Sequence, residues 1–241
     1  MTSQLVSLCF NATDSVSLAR FWAEALRWNI EDEAAEEVSL VSTDGTQFEV
    51  LFLPAPSPKQ GRSRIHLDLT TTSPEDQQRS VERMIALGAT PLDIGQLPEE
   101  GHVVLADPEG NEVCFIAPDN QFLAGCPRLG AINCDGSQAV GYFWSKALGW
   151  PLIWDQNEET AIRSPSGTGP IISWGGPPVA PKVGQNRLHL DIAPPTGEDQ
   201  QAEVDRLIAL GATRIDIGQG DVTWVVMADP GGNEFCVLSP R

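Results

Sequence analysis

The chain repeats itself, and the repeat limits what it can fold into. EDQQRSVERMIALGATPLDIGQ at 75–96 returns as EDQQAEVDRLIALGATRIDIGQ at 198–219, with sixteen of 22 positions identical. RIHLDL at 64–69 returns as RLHLDI at 187–192, and ADPEGNEVCFIAP at 106–118 as ADPGGNEFCVLSP at 228–240. The offset is 123 residues for the first two pairs and 122 for the third. Two homologous halves follow, 1–123 and 124–241, each the size of one small domain. A finer period lies beneath. Ala25, Ala86, Ala147 and Ala209 open short Ala-Leu motifs spaced by 61, 61 and 62 residues, and each motif closes a predicted helix. Gly88, Gly149 and Gly211 stand where a helix end needs a left-handed residue. The chain therefore reads as four related units.

Each unit reads as a strand, a helix and then several strands. In the first, Val6–Phe10 is a strand. Ser15–Leu26 is a helix with Leu18, Phe21, Trp22, Ala25 and Leu26 on one stripe, and two further strands flank the Asp44-Gly45 turn. The second runs Ile65–Thr70, a helix over 74–87, and three strands, the last preceded by the turn Asp107-Pro108-Glu109-Gly110-Asn111. This is βαβββ, four times, in the α+β class.

Strand parity predicts where a ligand would sit. Ile65, Leu67 and Leu69 share one face, and His66 and Asp68 the other. Val113 and Phe115 oppose Glu112 and Cys114, while Phe48, Val50 and Phe52 oppose Glu49 and Leu51. The apolar faces should meet the helices, leaving the mixed faces to line a concave cup. By the repeat, the second half offers His189, Asp191, Glu234 and Cys236, with Trp174 and Trp224 as candidate flanks of its cavity. Trp22, Trp28, Trp144 and Trp150 follow the helices and are expected in the core. His102 aligns with Trp224 and is not common to both halves. The run Glu31-Asp32-Glu33 with Glu36-Glu37 reads as a solvated edge.

Composition narrows the partners. A net charge of −18 disfavours nucleic acid, because phosphate repels an acidic surface, and it permits a cationic ligand. No apolar run is long enough to span a membrane, and the N-terminus lacks the basic region and apolar core of a secretory signal. Five cysteines without a CxxC pair suit reduced thiols and a cytoplasmic location. No Ser-His-Asp constellation, P-loop or dinucleotide fingerprint is present.

With these residues in view, the pattern FWxxxLxW … RxHLDL … ADPxGNEFCVL resembles the vicinal oxygen chelate superfamily of glyoxalases, extradiol dioxygenases, fosfomycin-inactivating enzymes and bleomycin-resistance proteins. It is similar in particular to the glyoxalase-like domains common in actinobacterial genomes. The resemblance covers both halves. It implies two tandem domains, each an incomplete eight-stranded barrel of two βαβββ units, with each half expected to form its own cup. It also implies metal-ligand positions at Ser7, Glu49, His66 and Cys114 in the first half, and at Leu129, Ile171, His189 and Cys236 in the second. Cysteine stands where metal-using relatives carry Glu. The expectation is a protein that binds a small organic molecule without a complete metal site, in the manner of sequestration or resistance proteins. The alternative is a metal-dependent lyase, isomerase or dioxygenase with Zn²⁺, Fe²⁺ or Mn²⁺ on Glu49, His66 and Cys114, in which His66 and Glu49 carry the chemistry. Single-domain relatives often complete a cup by dimerising. Here the second half can take the partner's place, so a monomer is expected.

Overall fold

A computed structural model describes every residue except 1, 35, 36, 98 and 99, with 32–34 described in backbone only. Four βαβββ units follow one another. The first is β1 (Gln4–Ala12), α1 (Ser15–Leu26), β2 (Asn29–Ala34), β3 (Glu37–Val41) and β4 (Glu49–Pro54). The second is β5 (Ile65–Leu69), α2 (Pro74–Ala86), β6 (Thr90–Pro91), β7 (Val103–Ala106) and β8 (Glu112–Phe115). The third is β9 (Leu129–Cys134), α3 (Gln138–Leu148), β10 (Leu152–Gln156), β11 (Glu159–Arg163) and β12 (Ile171–Trp174). The fourth is β13 (Leu188–Ala193), α4 (Gln200–Leu210), β14 (Thr213–Arg214), β15 (Val225–Ala228) and β16 (Glu234–Val237).

Local chemistry sets the helix limits. Asp14 caps α1 by accepting the Ser17 N–H at 3.0 Å, and Ser73 caps α2 by accepting that of Asp76 at 3.1 Å. Gly149 and Gly211 end α3 and α4 in the left-handed region. In the first unit Arg27 takes that conformation instead, at φ 62°, a position where glycine would relieve strain.

The units assemble into two open eight-stranded sheets, neither closed into a barrel. One has the order β14-β15-β16-β13-β1-β4-β3-β2 and the other β10-β11-β12-β9-β5-β8-β7-β6. The first thus joins units one and four, and the second joins units two and three. Each cup is therefore shared between the halves, where each half was expected to complete its own. The join is antiparallel in both sheets, β1 on β13 and β5 on β9. We call the cup of units one and four cup A, and that of units two and three cup B.

What holds a half together lies on the helix side. The Trp22 indole donates to Asp107 Oδ2 at 2.9 Å, and Trp144 repeats this on Asp229 at 3.0 Å. Both carboxyls are pushed up by burial, against the hydrogen bonds they accept. The turns of units two and four also exchange contacts: Arg64 Nε donates to Asn233 at 2.7 Å, and Arg187 pairs with Glu109. One core unites both layers, with Leu8, Phe10, Trp22, Val50 and Phe52 meeting Leu67, Phe115, Ile132, Trp174 and Phe235. No helix among the described residues is long and apolar enough to cross a membrane.

Candidate functional site

Alternation along the strands brings Ser7, Cys9 and Asn11 of β1, Glu49, Leu51 and Leu53 of β4, His189 and Asp191 of β13 and Cys236 of β16 to the face away from the helices. The register places Ser7 beside Glu49 on one side and Asp191 on the other, with Cys236 next beyond Asp191. Above them lies a cavity of about 290 Å³, whose walls include Leu51, Leu53, Val226 and Leu238, with Trp224 at the rim.

Asp191 is the hub of the floor. It is buried, at 6% exposure. Its Oδ2 accepts the Ser7 hydroxyl at 3.2 Å and the Cys9 thiol at 3.1 Å. His189 Nε2 stands 3.4 Å from Oδ1, which is sealed from solvent. Burial opposes ionisation of Asp191, yet His189, Cys9 and Cys236 together outweigh it and hold the carboxyl below the usual range. The thiols respond in the opposite sense. Burial, followed by the charge of Asp191, pushes both Cys9 and Cys236 up, so they remain protonated and donate. Beside Ser7 on β4, Glu49 is raised by burial and then by Glu31, with Arg241 acting against both.

Cup B has the same frame with different contents. His66 Nε2 sits 3.4 Å from Asp68, and Cys114 is pushed up by burial and then by Asp68. Burial would lower His66, but its hydrogen bond with Asp68 and the charge of Asp68 leave it raised. Ala131 stands where cup A has Ser7, and Ile171 where it has Glu49. A plug fills the centre. Leu123, on the segment between the halves, is buried against Ala131, Ala161 and Ile171, with Ile116, Cys126 and Trp154 packed around them. Phe122 meets Trp154 edge-on at 6.0 Å. Hydrogen bonds tie the segment down: Leu123 N to Asn120 Oδ1 at 3.0 Å, and Arg163 to Gly125 O at 3.1 Å.

Several sequence expectations change as a result. Glu49 is not brought to His66 and Cys114, because β4 lies in one sheet and β5 and β8 in the other. The first-strand position of the second half is Ala131 rather than Leu129. A register shift between Asp68 and Leu69 pairs Leu129 with Leu69, and Leu129 joins the core. Trp174 does not flank a cavity; it is 1% exposed in the core beneath α3. Glu112 is held by Lys59 at 2.8 Å, and Glu234 by Lys182, so both anchor the preceding loops. Trp224 does line cup A. In the acidic run, Glu36 lies outside the described residues, and Glu37 lines cup A. Cys9 was not singled out, although its parity with Ser7 was legible. Ile217, Leu238 and Arg241 carried no signal of their own.

The metal expectation can be tested on the donor set. The positions marked for ligation fall in cup A as Ser7, Glu49, His189 and Cys236. Ser7 gives its proton to Asp191, and a cysteine, Cys236, stands where metal-using relatives carry a carboxylate, so Glu49 and His189 are the donors left of the family set, fewer than a catalytic site's three protein ligands. Cys9, His189 and Asp191 bring ligand atoms within 4.8 Å of one another, as do His66, Asp68 and Cys114; neither trio is the family set, and in the first the Cys9 thiol donates to Asp191. The residues do not fit a metal centre of the family kind.

Comparisons agree with the fold. Glyoxalase I from Zea mays superposes with a TM-score of 0.65 at 11% identity, covering 99% of this chain and 92% of that one. A putative dioxygenase from Bacillus subtilis gives 0.62 at 11% identity, covering 100% and 86%. No curated protein matches in sequence. The family described as glyoxalase-like domain matches residues 7–116 and again 131–238. With both halves matched and four βαβββ units in place, the chain belongs to the glyoxalase-like domain family.

Proposed function

We propose that the protein binds one small organic molecule per chain, in cup A, without a metal and without turnover, as a sequestering protein would. The observation that supports this is the contrast between the cups. Cup A holds an open cavity of about 290 Å³, at the small end of ordinary ligand pockets, while the centre of cup B is filled by Leu123. The walls of cup A are largely apolar and a few polar groups converge on its floor, the composition expected where burial provides affinity and hydrogen bonds fix orientation. The metal-dependent lyase, isomerase or dioxygenase reading loses the donor pair that motivated it, since Glu49 and His66 lie in different sheets.

Because unit four completes the cup begun by unit one, the minimal unit in this proposal is a monomer; a dimer mass in light scattering would contradict it. Five free cysteines support a reducing, cytoplasmic setting. The binding reading is tested by calorimetry with a neutral aromatic probe, naphthalen-1-ylmethanol. One equivalent should bind per chain, and Leu51→Trp, which fills cup A, should abolish binding. Two equivalents, or binding retained in the variant, would overturn it.

A further inference from the structure

A second cavity, an annex of about 250 Å³, opens beside cup A. It lies between the loop after β4, with Pro56, Ser57 and Pro58, and residues 184–187, which lead into β13. Asn11 and Gln185 line both cavities, so the two meet at these side chains. Asn11 stands on the cup face of β1 beside Leu53, and its carboxamide is held in one orientation. Nδ2 donates to Asn186 O at 3.1 Å. Its Oδ1 receives no hydrogen bond among the described residues and is not sealed from solvent. Asn186 repeats the arrangement: Nδ2 donates to Asn233 Oδ1 at 3.2 Å, and its own Oδ1 stays open. Arg187 is the one charged residue among those lining the annex. It is 8% exposed and already engaged, paired with Glu109 and donating to Ser57 O at 2.8 Å.

We propose that cup A and the annex form one site for one elongated ligand: an apolar ring body along Leu51, Leu53 and Val226 that continues past Asn11 into an uncharged tail bearing a hydroxyl or amide N–H. The proposal rests on the single-cup reading and adds the ligand's length and the chemistry of its polar end. Asn11 Oδ1 and Asn186 Oδ1 are acceptors, so the tail has to bring donors. A carboxylate there faces two carbonyl oxygens and finds the only cation already paired. An ammonium has no carboxylate among the annex residues and lies beside Arg187. A charge moved there from water goes uncompensated, whereas a neutral donor exchanges one hydrogen bond for another as apolar surface is buried with it. Pro56 and Pro58 restrict the backbone of the wall, so little ordering is needed on binding.

The test holds the aromatic body constant and varies the tail. In calorimetry, N-(1-naphthylmethyl)glycolamide should bind one equivalent per chain, about fivefold or more tighter than naphthalen-1-ylmethanol. The glycinamide and oxamate analogues, which end the same tail in an ammonium or a carboxylate, should bind more weakly than the glycolamide. Ser57→Trp, at an exposed position that lines the annex and not cup A, should bring the glycolamide down to the affinity of the alcohol. Asn11→Leu, which keeps the bulk and removes the acceptor, should also weaken the glycolamide. A glycolamide no tighter than the alcohol, an advantage that survives Ser57→Trp, or tighter binding of either charged tail would overturn the annex proposal while the single-cup reading stands. Failure of glycolamide and alcohol alike to bind would overturn both. Glycolamide binding that survives Leu51→Trp would place the ligand outside cup A and also overturn both.

Discussion

Leu123→Ala tests whether the segment between the halves is a working part of the core or only a connection. Leu123 is 5% exposed and touches Ala131, Ala161 and Ile171, so truncation removes buried methyl groups and leaves a void between three strands and a loop. Fully rigid sites of this kind cost about 2.7–5.0 kcal/mol. Here the loop can settle partway into the space, which places the expectation at about 2–3 kcal/mol. For a chain of this size that corresponds to a fall in Tm of about 4–12 °C. Urea denaturation followed by far-ultraviolet dichroism and by tryptophan fluorescence measures the change, and coincidence of the two probes licenses a two-state fit. The control is Leu97→Ala, where Leu97 is 56% exposed and a change within about 0.5 kcal/mol is expected. A loss at Leu123 no larger than the control's would show that cup B is not filled by this segment, and the argument for a single open cup would fall with it.

Other expectations follow from the same contacts. Trp22→Phe and Trp144→Phe each remove an indole donor from a buried aspartate, so each should cost about 1–3 kcal/mol in urea denaturation; a large cost at one and none at the other would break the equivalence of the halves. The raised His66 contributes stability that is fully present below its unfolded pKa and lost as pH rises through the folded value. The Tm difference between wild type and His66→Ala should therefore shrink from about pH 6 to pH 8, and a difference that grows would contradict the Asp68 pairing. Residues 1–123 expressed alone lack β13 and β9, the partners of β1 and β5, and should self-associate or aggregate in light scattering. A monomeric, cooperatively folding half would refute the pairing across halves.

The residues show why some of this was legible in the sequence and some was not. Strands alternate with period two, so the burial of Leu67 and the cup-facing position of Asp68 could be read directly from IHLDL. The choice of partner for β1 could not. Its candidates, β5 and β13, carry RIHLDL and RLHLDI, two strands that present the same faces and hydrogen-bonding groups. Local pattern cannot separate them, and the assignment of Glu49 to the cup of His66 failed for that reason. Leu129 was misplaced because the register shift sits at Gly130, and one extra residue in a strand moves every following side chain to the other face. Leu123 looked like an ordinary residue of a connecting loop, since nothing in its neighbours marks a segment that folds back into a sheet. The floor of cup A was half visible. His189, Asp191 and Cys236 came from the repeat, while Cys9 and Ser7 came together with them only through the pairing of β1 with β13.

Methyl-resolved NMR during titration with naphthalen-1-ylmethanol tests the central claim most directly, because it reports both cups in one experiment. The account predicts saturable shifts at Leu51, Leu53, Val226, Ile217 and Leu238, the methyl-bearing side chains of cup A, with Leu123 and Ile171 of cup B unmoved. Shifts centred on Leu123 and Ile171, with the cup A methyls silent, would contradict it.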